Sequence, residues 1–164
     1  MKFLPIIFII LVSIILYANT FSNPFIWDDE YSVLNNDHIR HWQNVSNIFT
    51  SDFHPSAYRQ SIFYRPITSL TFLLDYQIWT LNPFGYHLTN LLFHMLNAVL
   101  VFVITIRLRT SSRTAFLSGL LFAIHPVHTE AVTYISGRAD PISLFFSLLA
   151  LCSFMNFVKR ERGS

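Results

Sequence analysis

The sequence is short of charge. Only 12% of its 164 residues are Asp, Glu, Lys or Arg, against about 25% in a soluble domain. That shortage excludes an ordinary water-facing surface. Basic residues outnumber acidic ones only 11 to 9, so there is no cationic face for nucleic acid. A single cysteine, Cys152, sits inside an apolar run. No intrachain disulfide can form, and the redox compartment is not readable from cysteine usage. Glycine is also scarce, with four in all, and there is neither an internal repeat nor a low-complexity tract.

What is present is apolar and aromatic. Hydrophobic residues make up 52%, aromatics 16%, and mean hydropathy is +0.44. A membrane-spanning helix needs about 20 predominantly apolar residues, with a range of roughly 17 to 25. Spans are expected at residues 3–19, 87–107 and 140–158, with a fourth at 113–135. The fourth crosses only if it continues past His125-Pro126. The first run resembles a signal peptide, but no small-x-small cleavage site follows it, so an uncleaved helix is expected. The chain thus reads as one all-α membrane-embedded domain of about four spans.

The basic residues set the expected topology. Lys2, Arg107, Arg109, Arg113, Lys159, Arg160 and Arg162 share one side if the chain crosses four times. Positive charge stays cytoplasmic, which puts both termini inside. Eight of the nine acids then fall outside: Asp28, Asp29, Glu30, Asp37, Asp52, Asp75, Glu130 and Asp140.

Residues 20–86 form the first outer loop. Loops beyond about 12 to 15 residues are usually functional or disordered. This one holds Trp27, Trp42 and Trp79 with many Phe and Tyr, a density that suggests a folded layer at the membrane interface. One short helix is expected around residues 39–49. A second starts at Pro66, a good first-turn residue, and runs to about Leu81. Its Ile67, Leu70, Leu73, Leu74, Ile78 and Leu81 follow helical spacing. Asn44-Val45-Ser46 is a glycosylation sequon on the outer side, a triplet common by chance.

Several clusters could carry chemistry. Asp28-Asp29-Glu30 lies among Phe25, Ile26, Trp27 and Tyr31. Carboxylates in an apolar setting suit a general base or a cation site; the structural alternative is an acidic boundary that keeps the loop outside. His87, Asn90, His94 and Asn97 fall on one helix face. Interhelical hydrogen bonding is the better reading for Asn90 and Asn97, while His94 is evenly balanced. His125, His128 and Glu130 offer two imidazoles and a carboxylate in a short reach. Zinc proteases space their helical His pair four apart around a Glu; the spacing here is three, which argues against zinc. Arg138 suits a phosphate, and Asp140 could pair with it or bind a divalent cation. Arg65 suits a lipid phosphate, or equally a snorkelling interfacial role.

Together these residues resemble one family. Trp27-Asp28-Asp29, Tyr64-Arg65-Pro66 and Gly85-Tyr86-His87 with Asn90, His94 and Asn97 fall in the matching order. The specific part is His125-Pro126-Val127-His128-Thr129-Glu130-Ala131-Val132 followed by Gly137-Arg138-Ala139-Asp140. The likeness is to the transmembrane and tetratricopeptide-repeat O-mannosyltransferases and their bacterial relatives, over roughly residues 24–158. It implies the N-terminal part of a glycosyltransferase C fold. Such enzymes move a sugar, typically mannose, from a polyprenyl-phosphate carrier to a hydroxyl of a protein or glycan on the outer or luminal side.

The resemblance further implies an acidic base in the first outer loop, which maps onto Asp28 or Asp29. A second outer acid maps onto Asp140, and groups holding the lipid phosphate map onto Arg138 and Arg65. His125, His128 and Glu130 complete the expected binding set. No cofactor is called for beyond a divalent cation, for which Asp140 is the candidate ligand. Family members have many more spans, so this chain is expected to be the N-terminal portion of a larger enzyme, completed by later helices or a second membrane chain. The setting would be a bacterial inner membrane or the endoplasmic reticulum. The rival reading is a non-catalytic membrane subunit that docks a partner through the outer loop. A transporter part fits less well, because transporters place charges at the membrane midplane.

Overall fold

A computed structural model describes residues 3–50 and 63–161. Lys2, Asp52 and Arg162 lie outside the described residues. Seven α-helices appear among them, joined by short tight turns and with no strand: α1 Leu4–Tyr17, α2 Val45–Thr50, α3 Pro66–Trp79, α4 Pro83–Arg107, α5 Ser112–Ile124, α6 Thr129–Thr133 and α7 Ala139–Glu161. Three stretches are long and apolar enough to cross a membrane: Leu4–Ser22, Pro83–Arg107 and Ile135–Glu161. A fourth, Ser112–Ile124 with Pro126–Thr133, is bent by 44° at the expected His125-Pro126 break. The chain is an integral membrane protein of the all-α class.

α4 is the central helix. Of its apolar window 39% is buried, against 22% and 17% for the first and last spans, whose outer faces carry Ile7, Phe8, Ile15, Phe154 and Phe157 into the apolar phase. Ile9, Ala98, Phe102, Ala115 and Ala123 form the core that joins α1, α4 and α5. Small residues let those helices approach. A Cβ on Gly119 would lie 2.8 Å from Ile9 Cδ1 and 3.1 Å from the Ala98 carbonyl oxygen.

The polar stripe of α4 is buried throughout, and it answers the irregular backbone of its neighbours. Pro126 has no N–H, and the helix breaks there. The Val127 N–H turns to His125 Nδ1, 3.2 Å away. The Ala123 carbonyl instead lies 3.0 Å from His94 Nε2, so Nε2 carries the proton. Asn90 Nδ2 donates to the Tyr134 carbonyl at 3.0 Å, and Asn97 Nδ2 to the Pro141 carbonyl at 2.8 Å. Carbonyls left open in hydrocarbon cost several kcal/mol each, so Asn90, His94 and Asn97 hydrogen-bond between chain segments of the bundle, while His87 Nε2 lies 3.2 Å from the Asn23 carbonyl of the outer loop.

The outer loop is folded, with its own core of Val33, Ile39, Ile48, Phe72, Leu73, Tyr86 and Ile135. α3 starts at Pro66 as the sequence indicates and ends at Trp79. The helix expected over residues 39–49 is broken instead: short 3₁₀ turns at Asp37–Ile39 and Trp42–Asn44 precede α2. Arg40 staples this part, donating from Nη2 to the Val33 and Leu34 carbonyls at 3.1 and 2.6 Å and lying 4.4 Å over the Tyr76 ring. Asn82 caps α4 by accepting from the Phe84 N–H at 3.1 Å. Gly85 lets α4 pass under Trp79, whose ring atoms would meet any Cβ there. The first turns of α4 are thereby fixed against α3, which positions the site.

Candidate functional site

The end of the bundle away from Arg107 carries a cleft of about 220 Å³. One wall comes from the outer loop: Asp28, Phe63 and Arg65. The other comes from the α6–α7 junction: Glu130, Tyr134, Ser136, Gly137, Ala139 and Asp140. Four residues expected from the sequence, Asp28, Arg65, Glu130 and Asp140, therefore face one space although they lie up to 112 positions apart. Asp28 is half-buried, Glu130 and Asp140 are exposed, and the Arg65 guanidinium lies 4.7 Å over the Phe63 ring. The Asp28 N–H donates to the Tyr134 hydroxyl at 3.1 Å, which ties the two walls together.

Asp29 lies behind the wall and is 1% exposed. Its Oδ1 accepts from the Ser136 N–H at 2.8 Å and from Ser136 Oγ at 2.6 Å. Its Oδ2 accepts from the Ile26 N–H at 3.0 Å. Burial pushes this carboxyl above the ordinary carboxylate value, against the pull of those hydrogen bonds. Asp29 thus holds the Ile26–Asp29 turn on one side and the first residues of the last span on the other.

Arg138 is completely buried. Nη1 meets Asp75 Oδ2 at 2.6 Å and donates to Thr71 Oγ1 at 3.2 Å. Nε donates to Asn90 Oδ1 at 2.6 Å, and Nη2 to the Tyr86 carbonyl at 2.7 Å. The guanidinium also lies 4.5 Å from the Phe72 ring centroid. In this arrangement its donors are directed at protein groups. Thr89 Oγ1 donates to the other carboxylate oxygen of Asp75 at 2.7 Å. Burial raises the Asp75 carboxyl, and Arg138 opposes that rise. The pair joins α3, which follows Arg65, to the start of α7, which carries Asp140, with Asn90 of α4 beneath.

His125 and His128 stand apart from the cleft's lining. The His128 ring packs on Phe122 at 4.2 Å and faces His94 at 5.4 Å. Among the described residues, no three His, Cys, Asp or Glu side chains are grouped to hold a metal ion. The described carboxylates of the cleft therefore do not form a ready cation cage.

Two residues important to this geometry carry no signature of their own in the sequence, Ser136 and Asp75. Asp75 did leave a trace. It lies on the α3 face that buries Phe72 and Leu73, and a carboxylate on an apolar face requires a buried partner. Ser136 left none, since a serine before Gly137-Arg138 reads as an ordinary turn residue.

The dolichyl-phosphate-mannose-protein mannosyltransferase family matches residues 64–164. The chain is 38% identical over 141 residues to protein O-mannosyl-transferase TMTC3 of Mus musculus, covering 84% of this chain and 15% of that protein. It is 39% identical to TMTC2 of Homo sapiens over 144 residues, 84% of this chain and 17% of that protein. Against Tmtc1 of Drosophila melanogaster it is 35% identical over 157 residues, 93% of this chain and 18% of that protein. The chain therefore spans less than a quarter of the length of these relatives. No solved structure gives a significant match. With a family match over more than half its length, running from Arg65 through Arg138 and Asp140, the chain belongs to the dolichyl-phosphate-mannose-protein mannosyltransferase family.

Proposed function

We propose that this chain supplies the base-bearing part of a membrane O-mannosyltransferase. The donor would be mannose on a polyprenyl phosphate, and the acceptor a hydroxyl of a polypeptide. The observation that carries this reading is the convergence of Asp28, Arg65, Glu130 and Asp140 on one cleft at the bundle end opposite Arg107 and Arg109. The names of the relatives, protein O-mannosyl-transferases, support the reaction class.

Asp28, rather than Asp29, is the base in this reading. Asp28 lines the cleft and is half-buried, whereas Asp29 lies behind the wall, 1% exposed, and braces Ser136 and Ile26. Asp28 takes the hydroxyl proton as the acceptor oxygen attacks the sugar's C1. The C1–O bond to the phosphate breaks, and the carrier phosphate leaves with the electron pair. Arg65 is the cation in the cleft lining that would receive that charge. Arg138 is a positioning residue, acting through Ser136 and Asp140. Glu130 and Asp140 line the acceptor's approach. His125 and His128 belong to the break in the third span rather than to the reacting atoms. Termini on the cytoplasmic side, as the seven basic residues suggest, would put the cleft on the outer or luminal face.

The apolar outer faces of α1, α5 and α7 support further helices packing there, from the rest of a longer chain or from a second membrane chain. The test is transfer of radiolabelled mannose from polyprenyl-phosphate mannose to a Thr-containing peptide. Membranes holding the chain with any such helices would be compared with the Asp28→Asn and Asp29→Asn variants. Transfer that survives Asp28→Asn would remove the base assignment. Absence of transfer in every form, with a second membrane protein copurifying, would favour the docking subunit instead.

A further inference from the structure

We infer that Trp27 is the acceptor-side specificity residue of this site, a stacking platform for the hydroxyl-bearing polypeptide; the inference rests on the reading of Asp28 as base. The Asp29 N–H donates to the Ile26 carbonyl at 3.0 Å and closes a tight turn. Trp27 is its second residue, with φ 49°. Turns with positive φ at that position normally take glycine or asparagine, and a bulky residue there is strained. An observed outlier of this kind is a pointer to function, because the surroundings must hold it in place.

Packing does not explain the indole. Trp27 is 77% exposed, more than any other large apolar side chain described. Its ring meets Tyr134 edge-on at 5.8 Å. Tyr134 in turn lines the carboxylate cleft and receives the Asp28 N–H. On its other side Trp27 lines a second hollow of about 420 Å³ with Phe25, Ile26, Glu30, Leu34 and Asn35. The indole thus lines this hollow and touches the cleft through Tyr134.

The origin of the hollow indicates which substrate it serves. All its lining residues fall within the outer-loop segment 25–35, and no membrane span contributes. A polyprenyl carrier needs apolar spans along its length, so the donor cannot be held here. A polypeptide fits: Phe25, Ile26 and Leu34 provide apolar wall, while Glu30 and Asn35 offer partners for backbone amides. An exposed indole adds large, rigid contact area at low entropic cost. A segment crossing Trp27 would deliver its hydroxyl to Asp28.

The test uses the full chain in native membranes with polyprenyl-phosphate mannose, a Thr-containing peptide and its Ala counterpart. Trp27→Ala should raise the KM for the Thr peptide about tenfold, leaving the donor KM and the thermal unfolding midpoint unchanged. Trp27→Phe should keep most of the affinity. Trp27→Gly, which relieves the backbone, should lose peptide as Ala does without lowering the midpoint. An unchanged peptide KM in Trp27→Ala overturns the proposal, and so does a rise in donor KM instead, which would put the indole on the sugar. Should the wild type transfer no sugar, the functional reading fails and binding still decides this one. With Trp42→Phe and Trp79→Phe, the Thr peptide should shield Trp27 fluorescence from acrylamide. Quenching unaffected by the peptide would overturn the proposal.

Discussion

The open cleft and the polar knot behind it draw on the same two stretches of chain. Asp28 faces the cleft, while Asp29 is buried against Ser136. Asp140 faces the cleft, while Arg138 is buried against Asp75 and Asn90. In each stretch one charged residue is left accessible and its near neighbour is used to hold the wall. The knot is buried, with Arg138 held by Asp75, Thr71, Asn90 and the Tyr86 carbonyl; Glu130 and Asp140 of the cleft are exposed and Asp28 is half-buried. Each charged motif therefore divides into a residue that faces the cleft and a residue that braces its wall. The substitutions below separate those parts.

The largest contrast is in transfer. Asp28→Asn removes the proposed base and keeps its shape, so mannose transfer should fall by about 10²- to 10⁴-fold with the unfolding midpoint unchanged. A midpoint that fell in parallel would move Asp28 into the knot and erase the distinction. The largest contrast in stability is the reverse case. Arg138→Met leaves the Asp75 carboxylate buried without its partner, which costs about 3–5 kcal/mol. Adding Asp75→Leu removes the orphaned charge and should recover much of that loss. A single Arg138→Met variant of native stability, measured by thermal unfolding in detergent, would show that the guanidinium is not held as described.

Asp29→Asn should fall between these two. It keeps an acceptor for Ser136 or Ile26 but turns its amide NH2 toward the other, and a buried donor left unpaired costs about 1–3 kcal/mol. Transfer should drop only as far as the wall loosens, and a suppressor that stabilises the fold should restore it. No such suppressor should rescue Asp28→Asn.

Much of this architecture was legible in the sequence because it depends on local pattern. Apolar runs marked the spans, Pro66 marked the start of α3, and His125-Pro126 marked the bend. The stripe of His87, Asn90, His94 and Asn97 indicated a buried face, since polar groups on an apolar helix must find partners. What it could not disclose was the division within each motif. Which of Asp28 and Asp29 faces the cleft depends on the hand of the turn at Trp27, where φ is positive against expectation. Arg138 read as a phosphate ligand because its partner, Asp75, lies 63 positions away and meets it only once α3 packs on α4. The 39–49 helix broke because Arg40 spends its guanidinium on carbonyls of the preceding turn, a tertiary contact that propensity does not register.

The smallest effect is a slope against pH that belongs to the knot. Burial holds the Asp29 carboxyl above its ordinary value of 3.8. Folding therefore favours its protonated form relative to the unfolded chain. By linkage its contribution is fully present below the unfolded value and is lost as pH rises through the folded one. In the range just above 3.8, the wild type should lose stability as pH rises, and Asp29→Asn should lose less over the same range. The measurement is the unfolding midpoint of each variant across mildly acidic buffers. If Asp29→Asn kept the full slope, the buried acid would have to be another group, and Asp75, also raised by burial but opposed by Arg138, would be the next to replace.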